Sequence, residues 1–433
     1  MKNFGIILTM LLGCTSSVFA QGADTLTLSQ AVQMALKHSP SLEAGMAAID
    51  QAKAQLNEVE SYAMPQFAGD ASYTRIDPVV IIAVPGTPIS IQTAPNNNYN
   101  GNFSLQQPLW AFGRFDAEDR VAESGIKSAQ DNLEAYKAQA AYQTTQIYYS
   151  ILTTDEAIRV EQDQVSVLQS NLADADQREK QGTATALDTL NIQARISQTE
   201  SEIADLQASR RKQVAGMRRI LGMAPGTPVN VTRPAQSSQL PEDVNALDSI
   251  AEKQRPEIVM AQDAENTARL QIDAAKESND PLLSASVTGG YKNGYLPDLN
   301  QEKLNWAGTI NFHVPILDGG RTHAQVDEAE AQYRAAQART EDAKLGVEDD
   351  IEQALADLQS SRSRVKLTDV QIQQAQQAYD ISVVRYKNGA ATNLDVLTAQ
   401  SALEQARLQQ AQLMFSLELS QYNLNKAVGA PMW

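Results

Sequence analysis

The side chains able to do chemistry are few, and their spacing assembles no catalytic centre. Cysteine occurs once, at Cys14, close to the start of the chain. Beyond it there is no disulfide framework, no Cys-based metal site and no thiol nucleophile. The three histidines are His38, His313 and His323, and the last two stand ten residues apart. That interval fits neither the helical zinc motif nor a finger. No Gly-rich phosphate loop or nucleophile motif is present. The residues therefore predict no catalytic group, no cofactor and no metal, and a chain that is not an enzyme. Two carboxylates stand out for another reason. Asp188 and Asp395 each follow a glycine, Gly182 and Gly389, by six residues within matching surroundings.

Those aspartates belong to an internal duplication. Gln107-Pro-Leu-Trp-Ala-Phe-Gly-Arg114 aligns with Val314-Pro-Ile-Leu-Asp-Gly-Gly-Arg321, 207 residues downstream. Arg178-Glu-Lys-Gln-Gly182-Thr-Ala-Thr185-Ala-Leu187-Asp188 aligns with Arg385-Tyr-Lys-Asn-Gly389-Ala-Ala-Thr392-Asn-Leu394-Asp395 at the same offset, as does Gly222 with Gly429. A gapless register over this distance is what uninterrupted packed helices require, because an insertion would rotate the apolar face away. Upstream, Pro40 and Pro65 match Pro256 and Pro281 at an offset of 216, so the first copy carries a loop nine residues longer. Each copy reads helix, strand, loop, strand, long helix, turn, long helix. The expected organisation is a leader over 1–20, a first repeat over 21–224, a Pro-rich linker over 225–245 and a second repeat over 246–433.

The long helices have coiled-coil spacing. From Asp116 to Glu179 there is no proline and one glycine, Gly125. Ile147, Ile151, Ile158, Val165, Leu168 and Leu172 recur at steps of three, four and seven, and Val347, Ile351, Leu358 and Val365 repeat the pattern. Roughly 65 residues make a helix of about 95 Å. Thr27-x-x-Gln30 predicts a capping box for the first short helix, and Asn245-x-x-Asp248 offers an N-cap in the second copy. The Arg210, Arg211, Lys212, Arg218 and Arg219 run closes a long helix, where cations suit the macrodipole.

Four segments alternate with period two. Phe67, Gly69, Ala71 and Tyr73 share one face; so do Tyr99, Gly101, Phe103 and Leu105. Leu283, Ala285, Val287, Gly289 and Tyr291 follow in the second copy, then Trp306, Gly308, Ile310 and Phe312. The opposite faces carry Asn, Ser, Thr and Gln. An apolar face ended by Tyr or Trp against a small-polar face suits a lipid-facing barrel with a wet lumen. Four strands cannot close such a barrel, and open edges in lipid leave backbone groups unpaired. Cyclic symmetry is the simplest closure, and three chains give twelve strands.

The N-terminus directs the chain outward. Lys2 precedes an apolar run from Phe4 to Leu12, and Val18-Phe19-Ala20 has the small-residue spacing of a cleavage site. Leu11-Leu12-Gly13-Cys14 offers the alternative of a lipidated Cys14. Both readings place the protein beyond an inner membrane. No later stretch has the ~20 apolar residues of a membrane helix. The net charge of −17 argues against nucleic acid as a partner.

Three signatures carry a resemblance. They are Leu28-Ser-Gln-Ala-Val-x-x-Ala-Leu-x-x-Ser-Pro40, Gln107-Pro-Leu-Trp…Gly-Arg114, and Arg385-Tyr-x-x-Gly389-x-x-Thr-x-Leu394-Asp395-Val-Leu397-x-Ala399-Gln400. In order and duplicated, they make the chain similar to the TolC-like outer-membrane efflux protein family along nearly its whole mature length. The resemblance implies a mainly α fold with β: a long coiled-coil helical barrel plus a transmembrane β-barrel, four strands per subunit and twelve in a homotrimer. It implies an outer-membrane exit duct in a Gram-negative cell, with a long periplasmic extension, working with a periplasmic adaptor and an inner-membrane pump. The turns Gly182-Thr183-Ala184 and Gly389-Ala390-Ala391 correspond to the adaptor-docking tip, although glycine there also suits a plain helix end. Asp395 corresponds to an acidic ring at the channel entrance, with Asp188 as its repeat partner. Thr398 stands where some members have a second acid, and Ala391 where some have an Arg latch, so a two-ring gate and an Arg latch are not expected. Crowded carboxylates at such a ring would raise one another's pKa. The same architecture serves small-molecule efflux or type I polypeptide secretion. A periplasmic coiled-coil adaptor would show one hairpin rather than two, and a purely structural coiled coil leaves the four strands unexplained.

Overall fold

The computed structural model describes residues 25–83, 85–88, 90–234, 240–241 and 243–430; the expected leader, its expected cleavage point and Cys14 lie outside them. The duplication is carried into the lengths of the elements. Helices α1 (Leu28–His38) and α5 (Val244–Gln254) have 11 residues each, α2 (Pro40–Ser61) and α6 (Pro256–Glu277) 22 each. Helices α3 (Arg114–Lys180) and α7 (Arg321–Lys387) have 67 each, α4 (Ala186–Ile220) and α8 (Asn393–Ala427) 35 each. None of the described helices is long and apolar enough to cross a membrane.

The single short helix expected at the head of each copy is two helices. Pro40 and Pro256 each begin a new helix, and the residues before them, Ser39 and Arg255, are extended at φ −72°, ψ 123° and φ −73°, ψ 118°. Proline clashes with a helical predecessor but fits the first turn of the next helix. The Thr27–Gln30 capping box is present: Gln30 N donates to Thr27 Oγ1 (3.3 Å) and Thr27 N to Gln30 Oε1 (3.0 Å). The cap expected at Asn245 is not. Helix α5 starts at Val244 with Asp243 as N-cap, so Asn245 lies inside it.

Strands β1 (Gln66–Arg75), β4 (Asn97–Trp110), β5 (Leu282–Lys292) and β6 (Lys303–His313) form one antiparallel sheet in the order β1-β4-β5-β6. The connection from β1 to β4 contains a small hairpin, β2 (Ile81–Ala83) with β3 (Ser90–Gln92), where the sequence pattern predicts only a loop. Register brings the four apolar faces onto one side. Phe67 pairs Leu105 and Tyr73 pairs Tyr99; Leu105 pairs Val287, and Ala285 pairs Ile310. A slip of one residue would reverse a whole strand. The Phe67 and Phe103 rings stack at 5.7 Å, and a Cβ on Gly69 would meet the Phe103 ring at 3.1 Å. Gly290, on the polar side, is required: a Cβ there would lie 2.1 Å from Gly101 O.

The chain divides into two units. One comprises Leu36–Gln143, Ser237–Gln373 and Ser416–Trp433. It holds the sheet and an apolar core of Leu247, Ile258, Ile351, Leu358 and Leu424. Arg255, almost fully buried, donates to Lys426 O (2.6 Å) and pairs with Asp350 and Glu257. The other comprises Met1–Ala35, Thr144–Gln236 and Gln374–Phe415. Leu168, Ala175 and Ile192 form a core there, flanked by Leu172, Ile196 and Leu397. In the same unit the buried Tyr148 hydroxyl lies 2.8 Å from Leu26 O and 2.6 Å from Thr232 O, and accepts from Thr232 N.

Candidate functional site

The turns that join the long helices are built identically. Helix α3 ends with Gly182 N donating to Glu179 O (2.9 Å) and Thr183 N to Arg178 O (2.9 Å). Helix α7 ends with Gly389 N donating to Tyr386 O (3.1 Å) and Ala390 N to Arg385 O (2.8 Å). This paired closure needs a left-handed residue, and Gly182 (φ 74°) and Gly389 (φ 70°) supply it. A Cβ at either would meet nothing within 4 Å, so the requirement is backbone conformation alone. Gly182, Thr183, Gly389 and Ala390 are exposed, while Ala184 and Ala391 are half-buried.

The next helices start with matching capping boxes. Asp188 N donates to Thr185 Oγ1 (3.3 Å), and Asp188 Oδ2 accepts from Thr185 N (3.0 Å) and Oγ1 (2.9 Å). Asp395 N donates to Thr392 Oγ1 (3.3 Å), and Asp395 Oδ2 accepts from Thr392 N (2.7 Å) and Oγ1 (2.8 Å). Both aspartates thus satisfy backbone donors that a helix start leaves open. The bonds from Thr392 hold the Asp395 carboxyl below the ordinary carboxylate value. Thr398 is exposed and donates back to Leu394 O (2.8 Å).

Side chains tie the two turns together. The Arg178 guanidinium lies 5.1 Å from the Tyr386 ring centroid and reaches Tyr386 O at 3.4 Å. Asn393 Nδ2 donates to Asp188 O (3.1 Å). Leu187 and Leu394, repeat partners one residue before each aspartate, are exposed and give the turns an apolar component.

Farther along the same hairpins lies a group that sequence reading missed. Glu161 on α3, Glu202 on α4 and Glu404 on α8 bring one carboxylate oxygen each within 4.8 Å of one another. Glu161 and Glu404 are 2% and 4% exposed. Arg195 Nη2 donates to Glu404 Oε2 (2.8 Å) and Oε1 (3.0 Å). Burial, then the charges of Glu404 and Glu202, push the Glu161 carboxyl up to about 7, against the pull of Arg195. Sequence separation hid the cluster, but one signal was available. Thr154, Glu161, Leu168 and Ala175 lie seven residues apart and all are buried, so Glu161 places a charge in a heptad core series.

The chain matches the outer membrane efflux protein family over residues 31–223 and 247–430. It is 23% identical to the outer membrane protein TolC of Escherichia coli (strain K12), covering 98% of this chain and 86% of that one. It is 22% identical to the pyoverdine export outer membrane protein OpmQ of Pseudomonas aeruginosa, covering 93% of this chain and 85% of that one. The crystal structure of the outer membrane protein VceC from Vibrio cholerae superposes with a TM-score of 0.76 at 21% identity, covering 94% of this chain and 97% of the other. With its duplicated hairpins, four-stranded sheet and match over most of its length, the chain belongs to the outer membrane efflux protein family, and it is a transport duct rather than an enzyme.

Proposed function

We propose that three copies of this chain form the outer-membrane exit duct of a tripartite efflux system, moving small molecules out of a Gram-negative cell. The observation that carries the reading is the sheet. Its four apolar faces are in register, with Trp306 78% and Ile310 75% exposed, and β1 and β6 are its two edges. A contiguous exposed apolar surface of this kind suits lipid, and in lipid both edges must be paired. Pairing β1 of one copy with β6 of the next closes twelve strands around a lumen lined by Asn100, Asn102, Ser104, Ser286, Thr288 and Thr309.

In this reading the helical hairpins extend through the periplasm. The turns at Gly182-Thr183-Ala184 and Gly389-Ala390-Ala391 receive the adaptor, which links the duct to an inner-membrane pump. Asp395 rims the entrance, with Asp188 and Thr398 beside it. The pyoverdine export function in the name of one relative supports a small-molecule cargo.

The test is single-channel conductance of the purified, detergent-extracted protein in a planar bilayer, wild type beside Asp395→Ala. The proposal expects discrete conductance steps whose cation preference falls in the variant. Steps that ignore the substitution would keep the duct and remove Asp395 from its entrance. Folded protein that does not enter the bilayer would overturn the reading.

A further inference from the structure

The three-glutamate cluster has no part in the export reading and stands independently of it. Packing does not call for it. At the repeat-related positions the second copy has Thr368 for Glu161 and Gln409 for Glu202, and the first copy has Ser197 for Glu404. Thr368 is as buried as Glu161, and its hydroxyl is satisfied within its own helix by Arg364 O (2.9 Å). The same fold position is thus filled by a neutral residue in one copy and a carboxylate in the other.

The charges around the cluster do not balance. Three carboxylates face one cation, Arg195, whose Nη2 is engaged by Glu404 while its Nε is buried without a partner. A buried carboxylate is relieved by a cationic partner, by a bound cation or by a proton. Among the described residues Glu161 and Glu202 make no ion pair, and a divalent ion would balance the two once both are ionised. Unsatisfied oxygen points the same way. Glu161 Oε2 is buried without a hydrogen-bond partner. So is the hydroxyl of Thr199, a residue 0% exposed. Thr199 lies one turn after Arg195 and one turn before Glu202, which puts all three on one face of α4. Elsewhere in these helices threonines turn the hydroxyl back to a carbonyl, as Thr189 does to Ala186 O and Thr154 to Ser150 O. Thr199 does not.

We propose that Glu161, Glu202 and Glu404, with the Thr199 hydroxyl as a fourth oxygen, form a site for a calcium-sized divalent cation that joins both helical hairpins of the chain. The dimensions admit a calcium-sized ion. Oxygens bound to one Ca²⁺ can stand at most about 5 Å apart, whereas Mg²⁺ holds its ligands closer and retains water. The three oxygens lie within 4.8 Å of one another, inside the reach of the larger ion without rebuilding the helices. All donors are oxygen, which suits a hard cation and disfavours copper or zinc. Because Glu404 comes from α8 while Glu161 and Glu202 come from α3 and α4, bound cation would tie the second hairpin to the first.

The experiment is calorimetric titration of Ca²⁺ into the full-length, detergent-purified protein after chelator treatment, with thermal unfolding recorded alongside. Expected is saturable uptake of one Ca²⁺ per chain, with unfolding shifted upward and returned by EGTA. Glu161→Gln and Glu202→Gln should each weaken uptake by at least ~10-fold, and Glu330→Gln, on an exposed face of α7, should not. Absence of saturable uptake and of any Ca²⁺-dependent unfolding shift in the wild type overturns the proposal. So does uptake undiminished in both glutamine variants. The wild-type unfolding shift decides the matter even where a variant folds poorly.

Discussion

Asp395 and Thr392 hold each other in place: Asp395 Oδ2 accepts from Thr392 N at 2.7 Å and from its hydroxyl at 2.8 Å, and Asp395 N donates to Thr392 Oγ1. The folded chain thereby stabilises the ionised carboxyl, and the bonds from Thr392 hold its pKa below the ordinary carboxylate value. For a depressed carboxyl the contribution to stability is complete above the unfolded value and is lost as pH falls through the folded one. Hydrogen exchange at the Asp395 amide should show protection that is constant down to about pH 4 and declines below it. Thr392→Ala should lower that protection at every pH. Protection that falls well above that range would mean that carboxylates crowded on a threefold axis outweigh the cap.

The long helices, their turns and the four strands are legible because each writes a period or a punctuation mark into the chain. Gly182 and Gly389 mark left-handed helix ends, and Phe67 to Tyr73 and Trp306 to Phe312 alternate without a break. The helix break at Pro40 is visible as a proline but ambiguous, because a single proline near a helix start is compatible with either one helix or two. The capping role of Asp188 and Asp395 can be read from Thr185 and Thr392 three residues upstream, yet the same aspartates also suit an entrance ring. Sequence cannot say how one carboxylate divides between two uses. Glu161, Glu202 and Glu404 come together only through the packing of three helices, and no spacing along the chain encodes that.

Three glycines at helix ends, all with positive φ, separate conformational strain from collision. Gly182, Gly389 and Gly429 have φ of 74°, 70° and 73°. A non-glycine residue there costs about 1–2 kcal/mol. At Gly429 a Cβ would also lie 2.6 Å from Gln254 O and 2.8 Å from Arg255 N, both backbone. In thermal unfolding Gly429→Ala should therefore lower the midpoint at least twice as far as Gly389→Ala. Equal shifts would show that the backbone at Gln254 moves aside. If Gly182 and Gly389 also receive the adaptor, alanine there should reduce export beyond what the small stability loss explains.

Ile310 and Thr309 are neighbours on β6 that face opposite sides of the sheet, Ile310 paired with Ala285 and Thr309 with Ser286. If the apolar side meets lipid, Ile310→Arg near the middle of the strand costs roughly 2–4 kcal/mol. Thr309→Arg on the wet side should instead assemble normally and reduce cation conductance, by adding positive charge to the lumen. The readouts are the yield of folded protein extracted from the membrane and the single-channel current. Good assembly of the Ile310 variant with failure of the Thr309 variant would invert the assignment of the two faces.

Arg178 is the residue whose contact at the turns crosses from one hairpin to the other through a ring. Its guanidinium sits 5.1 Å from the Tyr386 centroid and 3.4 Å from Tyr386 O. Its repeat partner, Arg385, instead bonds within its own turn, to Ala390 O at 3.4 Å. The pair of arginines is therefore not equivalent, and only one of them fastens the hairpins. A cation–π contact at such a partly exposed place is worth about 0.5–1 kcal/mol, too little to unfold long helices but enough to change the balance between two tip arrangements severalfold. Arg178→Ala and Tyr386→Leu should each raise the open fraction of single channels about 2- to 5-fold. Arg385→Ala should leave it near wild type. The double variant Arg178→Ala with Tyr386→Leu should do no more than Arg178→Ala alone, because that substitution already removes the ring contact. Additive effects, or an equal effect of Arg385→Ala, would show that the clasp is not what restrains the turns.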